Sequence, residues 1–287
     1  MQRIFIVNPK SGKGKSLEVI KYIETICKLK NYDYKIFYTE KKDDAKLIAE
    51  YFKNTYSLIY SVGGDGTVNE VSSGLAYGNS FMGIIPAGTG NDFYKTIKNK
   101  EEGLFDIDLG IVNNKYFINI ASIGIDAEAC VNADLMKKLK VPNCGVYTSS
   151  FIYTYLKYHN QNLKLNNVEK DITLLTVANG QYYGGGYKIA PDAKIDDGLL
   201  NIILAEDLNK LEIPGLLLKV ANASHYKDKR VKHFKVQNLS VKAPCEIFCQ
   251  LDGEVIKDNE FNFAIYKDAI RYYNYDDFDV KSKILKK

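Results

Sequence analysis

The chain has 287 residues, 46% hydrophobic and 26% charged, a globular composition with room for two domains. A formal net charge of +4 is too weak to argue for nucleic acid as a partner. The five cysteines, Cys27, Cys130, Cys144, Cys245 and Cys249, are an odd number without C-x-x-C spacing. They indicate neither a zinc site nor a disulfide framework, and they fit a reducing cytosol. Met1 to Lys10 holds only a four-residue apolar run and reads as a first strand, not a signal peptide. No apolar run approaches the ~18 residues that span a bilayer, so any membrane contact is expected to be peripheral and the location cytoplasmic.

In chain order, Ile4 to Val7 reads as a buried strand, followed by Asn8-Pro9-Lys10-Ser11-Gly12-Lys13-Gly14-Lys15-Ser16 and a helix with Ile20, Ile23 and Cys27 on one face. The loop fails the Walker pattern because Pro9 stands where glycine is required, yet it remains basic and glycine-rich at a helix start. Asp33 to Thr39 alternates as a second strand, and Asp43-Asp44 precede a helix carrying Leu47, Ile48, Tyr51 and Phe52. Tyr56 to Val62 reads as a third strand. It runs through Gly63-Gly64-Asp65-Gly66 into a helix with Val68, Val71 and Leu75 at helical spacing. Phe81 to Pro86 is the fourth strand, with Pro86-Ala87-Gly88-Thr89-Gly90-Asn91-Asp92-Phe93 turning into another helix. Four strand–loop–helix repeats predict a parallel sheet with ligand-binding loops at its carboxyl edge.

After Asp106 short strands take over. A hairpin is expected at Ile111-Val112 and Tyr116-Phe117 around Asn113-Asn114, then strands at Ile172–Val177, Leu199–Leu204, Leu239–Val241, Ile247–Leu251 and Phe261–Ile265. This predicts a mostly antiparallel second domain, a sandwich. Two helical insertions interrupt it, one from about Asp134 to Tyr158 and one after Pro214. His225 to Lys235 carries Lys227, Lys229, Arg230, Lys232 and Lys235, and the tail adds Lys281, Lys283, Lys286 and Lys287. Such a basic face suits an anionic lipid leaflet; scattered solvated lysines are the plain alternative.

Four elements line up in order: Asn8-Pro9-x-Ser11-Gly12, Gly63-Gly64-Asp65-Gly66-Thr67, Pro86-x-Gly88-Thr89-Gly90-Asn91-Asp92-Phe93 and Leu251-Asp252-Gly253-Glu254. Together they resemble the diacylglycerol kinase catalytic-domain family, and are most similar to its soluble bacterial lipid kinases, relatives of sphingosine and ceramide kinases. The resemblance implies an α/β nucleotide-binding domain of NAD kinase/diacylglycerol kinase type with a Rossmann-like parallel sheet over residues 1–120. It implies a β-sandwich lipid-substrate domain over 121–270, and a tail over 271–287 that returns to the first domain. ATP would lie between the domains. Its contacts fall on Asn8, Thr39, Gly63, Gly64, Asp65, Gly66, Thr67, Asn69, Glu70, Thr89 and Asn91. Asp65 matches a catalytic aspartate that works with Mg²⁺, Glu254 matches a proton acceptor, and Asp126 an acidic position near the cleft. A second metal site is implied at Asp197, with the carbonyls of Lys194 and Leu199. The family also implies a homodimer.

The residues support phosphoryl transfer on their own chemistry. A glycine turn supplies backbone donors for phosphate, Asp65 can hold Mg²⁺, and Asp252 or Glu254 can take a hydroxyl proton. Asp-Gly is also a strong hairpin signal, so Asp252-Gly253 carries two readings. The expected reaction is transfer of the ATP γ-phosphate to a lipid alcohol, diacylglycerol foremost, to give phosphatidic acid. Two alternatives stay open: an NAD kinase-type phosphotransferase, which the glycine turn fits, and a non-catalytic lipid- or nucleotide-sensing module, against which the intact Asp65, Thr67, Asp252 and Glu254 count.

Overall fold

The computed structural model describes residues 1–139, 141 and 146–278. Its first unit alternates strand and helix: β1 (Arg3–Val7), α1 (Lys15–Leu29), β2 (Tyr34–Tyr38), α2 (Asp44–Phe52), β3 (Leu58–Gly63), α3 (Asp65–Leu75), β4 (Phe81–Pro86) and α4 (Asp92–Ile97). The strands pair in parallel in the order β4-β3-β1-β2. Alternation along β1 explains the layering. Ile4 and Ile6 pack with Val68, Val71, Leu75 and Phe93 on one face, while Phe5 and Val7 pack with Val19, Ile20, Ile23 and Cys27 on the other. Both faces are covered, which is why β1 reads as a continuous apolar run.

The second unit contains β5 (Gly103–Val112), β6 (Lys115–Phe117), β7 (Ile120–Gly124), α5 (Ile125–Lys138), α6 (Val146–Lys157), β8 (Gln161–Leu165), β9 (Val168–Ala178), β10 (Leu200–Glu206), α7 (Ile213–Ala221), β11 (Val231–Val236), β12 (Asn238–Leu251) and β13 (Glu254–Asn274). Its strands pair antiparallel around Ile123, Leu175, Val177, Ile202, Val241, Cys249 and Phe261.

One strand joins the two units. β13 starts as the partner of β12, shifts register between Tyr266 and Ile270 along β5, and ends with Arg271 and Tyr272 parallel to Phe81 and Met82 of β4. Such an irregularity bends a strand, here where it passes from one unit to the other. Beyond it, Phe278 packs its ring against Phe5 and Tyr60, and Asp277 accepts hydrogen bonds from Arg3, Tyr60 and Tyr273. The boundary expected at residue 270 therefore falls inside a strand.

Three further expectations change. The insertion read from Asp134 to Tyr158 is two helices, and the first begins earlier, at Ile125. β8 pairs with β9 as a hairpin that the sequence reading passes over. The basic stretch ending at Lys235 contains β11, which among the described residues pairs only with β10; an edge strand carrying lysines is a common protection of exposed backbone.

Candidate active site

A cavity of about 280 Å³ lies at the carboxyl edge of the parallel sheet. The strand order turns here, with β1 between β2 and β3, and such a switch point is where open α/β sheets bind ligands. Its wall includes Asn8 after β1, Thr39 after β2, and Gly64, Gly66, Thr67 and Glu70 after β3. Six residues expected to contact a nucleotide are thus brought together. Lys10, Ser11, Glu40, Lys41, Lys42 and Ala45 complete the wall. Of these, Lys42 had no motif to mark it.

The cavity's frame is backbone held close to backbone. A side chain at Gly88 would reach 2.4 Å from the Cα of Gly64, and one at Gly63 would meet the Thr67 hydroxyl at 2.4 Å. Gly12 has φ +57° and lies against the Ala87 carbonyl, where a Cβ would come within 2.1 Å. Asn91 locks the Gly88 turn: its Oδ1 accepts from the Gly88 N–H at 3.0 Å and its Nδ2 donates to the Gly88 carbonyl at 2.9 Å. Thr89 sits exposed on this turn. Asn69 is buried in α3, and its Oδ1 finds no hydrogen-bond partner among the described residues.

Asp65 does not line the cavity itself. Its carboxylate accepts from the Phe93 N–H at 3.1 Å, tying the β3 turn to the start of α4. Burial first, and then the neighbouring Asp92, raise its pKa. Asp92 is more than a helix cap: it pairs with Lys95 at 2.9 Å and accepts from the Gly185 N–H at 2.7 Å, reaching the second unit. Asp65, partly buried, offers hard oxygen donors of the kind a magnesium ion takes, while Asp92 beside it is already paired with Lys95.

The hairpin between β12 and β13 divides its two acids sharply. Asp252 and Gly253 take left-handed φ values of 48° and 89°, as the hairpin reading requires. The Asp252 carboxylate is taken up by backbone: it accepts from Ile118 at 2.8 Å, Asn119 at 3.3 Å and Ile120 at 2.8 Å. Burial pushes it up to about 7, against those three donors, with Asp65 adding to the rise. Its oxygens hold a turn together, which is the hairpin reading of Asp252-Gly253. Glu254, two residues on, is partly exposed and meets Lys42 of the cavity wall, Nζ to Oε1 at 2.8 Å.

Asp126 stands at the start of α5 and does not line the cavity. It is buried, accepts from the Ser122 hydroxyl and the Ala127 N–H, and burial pushes it up to about 7. Gln250 connects it to the hairpin, donating to Ser122 at 2.8 Å and accepting from the Gly253 N–H at 3.0 Å. Asp126 therefore belongs to the frame behind the hairpin.

At Asp196-Asp197-Gly198 the turn is held by protein groups. Asp197 accepts from the Leu199 N–H at 3.2 Å and pairs with Lys235 at 2.8 Å, while Asp196 pairs with Lys100. Asp108, which the sequence reading does not single out, accepts from the Gly198 N–H at 2.7 Å and the Asp268 N–H at 2.9 Å. Among the described residues no group of three or more His, Cys, Asp or Glu side chains is arranged around a metal position. A cation at Lys194, Asp197 and Leu199 would compete with Lys235 for the only carboxylate of that set. The basic stretch is likewise largely paired: Arg230 with Asp228 and Glu212, Lys232 with Glu206. Lys281, Lys283, Lys286 and Lys287 lie outside the described residues.

Comparison with known proteins matches both units. Residues 2–115 match the diacylglycerol kinase catalytic domain, and residues 119–272 match the YegS C-terminal NAD kinase beta sandwich-like domain. The chain is 30% identical over 271 residues to a diacylglycerol kinase of Staphylococcus haemolyticus, covering 87% of this chain and 81% of that protein. It is 29% identical over 268 residues to a diacylglycerol kinase of Staphylococcus aureus strain MRSA252, covering 87% and 84%. The crystal structure of a diacylglycerol kinase from Bacillus anthracis str. Sterne superposes with a TM-score of 0.67 at 19% identity, over 96% of this chain and 97% of that one. A further crystal structure from the same organism superposes at 0.77 with 24% identity, over 96% and 95%.

Proposed function

The chain belongs to the diacylglycerol kinase family, and on that premise we propose an ATP- and Mg²⁺-dependent lipid kinase that converts diacylglycerol to phosphatidic acid. One observation carries the reading: Glu254 of the second unit touches Lys42 in the wall of the glycine-framed cavity of the first. A carboxylate delivered to the edge of a phosphate-binding loop is what transfer to an alcohol requires.

Each part then has a task. The N–H groups around Gly64 and Gly66 cradle phosphate, and Asn8, Thr39 and Glu70 line the rest of the nucleotide's space. Asp65 would hold Mg²⁺, which when bound neutralises the polyphosphate. Glu254 takes the proton from the lipid hydroxyl as that oxygen bonds to the γ-phosphorus, while the bond from phosphorus to the bridging oxygen of ADP breaks. Asp252, through its three backbone donors, fixes the hairpin that presents Glu254.

Peripheral contact with a membrane in the cytoplasm completes the proposal. No described helix is long and apolar enough to cross a bilayer. Leu156, Leu211 and Leu218 expose 66%, 90% and 73% of their surface on or beside α6 and α7. Lys210 joins these helices by donating to the Leu156 carbonyl at 3.0 Å. Exposed leucines flanked by lysines suit an interface with anionic headgroups. The test is ADP release with Mg-ATP and mixed micelles containing diacylglycerol, with NAD⁺ as acceptor in parallel. Lipid-dependent ADP release supports the reading; turnover on NAD⁺ alone overturns it.

A further inference from the structure

Lys42 has two claims on it, and only one can be met at a time. It stands in the loop between β2 and α2, lines the cavity with Lys10 and Lys41, and places its ammonium 2.8 Å from Glu254. The two side chains keep 63% and 40% of their surface in water, so the pair is a weak one. A base must lie within hydrogen-bond reach of the acceptor hydroxyl, and that hydroxyl attacks the terminal phosphorus. An ammonium touching Glu254 is thus about one phosphoryl group away from the group transferred. Terminal phosphate, with several charged oxygens, outbids a single half-exposed carboxylate for that ammonium. Lysine suits such an exchange: its charge is compact and its four-carbon stem swings freely, whereas an arginine would fork onto the carboxylate.

We propose that Lys42 exchanges partners during the cycle, covering Glu254 while the cavity holds no nucleotide and moving to the terminal phosphate when a nucleoside triphosphate binds. The exchange does two things in one motion. It adds a cation to the polyphosphate, and it uncovers the carboxylate that takes the hydroxyl proton. This inference rests on the proposed kinase reading for the role of Glu254, but its test is a binding measurement that needs no lipid.

The experiment is calorimetric titration of the full chain with Mg-ATP and with AMP, for the wild type, Lys42→Met, Lys42→Arg, Glu254→Gln and the Lys42→Met/Glu254→Gln pair. Lys42→Met is expected to weaken ATP about tenfold, the scale of one charge-assisted contact, and to leave AMP unchanged. Lys42→Arg, which keeps the charge but forks onto Glu254, is expected to fall between the wild type and Lys42→Met in ATP affinity. Glu254→Gln strengthens ATP binding, since the lysine no longer leaves a carboxylate behind, and that gain vanishes when Lys42 is also replaced. Equal ATP affinity in wild type and Lys42→Met overturns the exchange, as does a Glu254→Gln gain that survives without Lys42. Absence of ATP binding by the wild type overturns it together with the kinase reading. ATP binding with the expected pattern, but no lipid-dependent turnover, sinks the lipid reading alone and leaves the exchange standing. Unchanged thermal unfolding of the variants separates these outcomes from misfolding.

Discussion

The turn after β3 and the turn after β12 are built alike and used differently. Each ends a strand, each contains Asp-Gly, and each turns a partly buried aspartate to backbone N–H of a neighbouring segment. Asp65 receives the Phe93 N–H and has Asp92 beside it; Asp252 receives three amides and no cation. The first aspartate lies beside a second acid and its lysine partner Lys95, and the second is held by three neutral donors. In the Asp252 turn the neighbour, Glu254, is the acid that stays partly exposed. A carboxylate in an Asp-Gly turn can therefore sit among other charges or be held by backbone alone, and its neighbours tell which.

The largest effect should come from the exposed member of the pair of acids. Glu254→Gln is expected to lower lipid-dependent ADP release by roughly 10²–10⁴, the range for a lost general base, with the fold intact by thermal unfolding. Asp65→Asn should lower turnover by on the order of 10²–10³, as removal of a charge at the phosphates does, and flatten its Mg²⁺ dependence in a titration. Because that change also removes one of two repelling acids, its unfolding temperature should hold or rise. Asp252→Asn should behave in the opposite way: an amide cannot accept from three N–H groups as a carboxylate does, and about 1–3 kcal/mol of stability is expected to go in denaturant unfolding. Equal destabilisation by the two Asp→Asn changes would erase the distinction between the turns.

Smaller effects sharpen it. Asp126 is pushed up to about 7 by burial, above the ~3.9 of an unfolded aspartate. Between those values the native state keeps a proton that the unfolded chain releases, so stability is greatest at low pH and falls as pH rises through 7. Asp126→Asn should flatten the fall in unfolding temperature between pH 5 and 8, measured against the wild type. The smallest effect lies farthest from both turns. Leu211→Ser with Leu218→Ser should reduce sedimentation with anionic vesicles severalfold while leaving unfolding temperature unchanged, because both side chains are already in water.

Much of this was set by the sequence alone. The parallel sheet follows from four apolar runs alternating with helical periods, and β1, β3 and β4 are legible because burial on both faces leaves them uniformly apolar. The glycines that bring Gly64 and Gly88 into contact mark the cavity, since only a residue without Cβ fits there. Other features depended on distance in space. Nothing in the chain tells that β13 runs from one unit into the other, because its register shift along β5 and its pairing with β4 are contacts between residues far apart in sequence, such as Ile270 with Ile107 and Arg271 with Phe81. β11 escaped notice because an edge strand is free to carry lysines that break the apolar pattern. Asp252 and Glu254 are equivalent as letters. Three amides from residues 118–120 closed around one and a lysine from the other unit reached the second, so only folding decided which acid the backbone took up and which met the cavity wall.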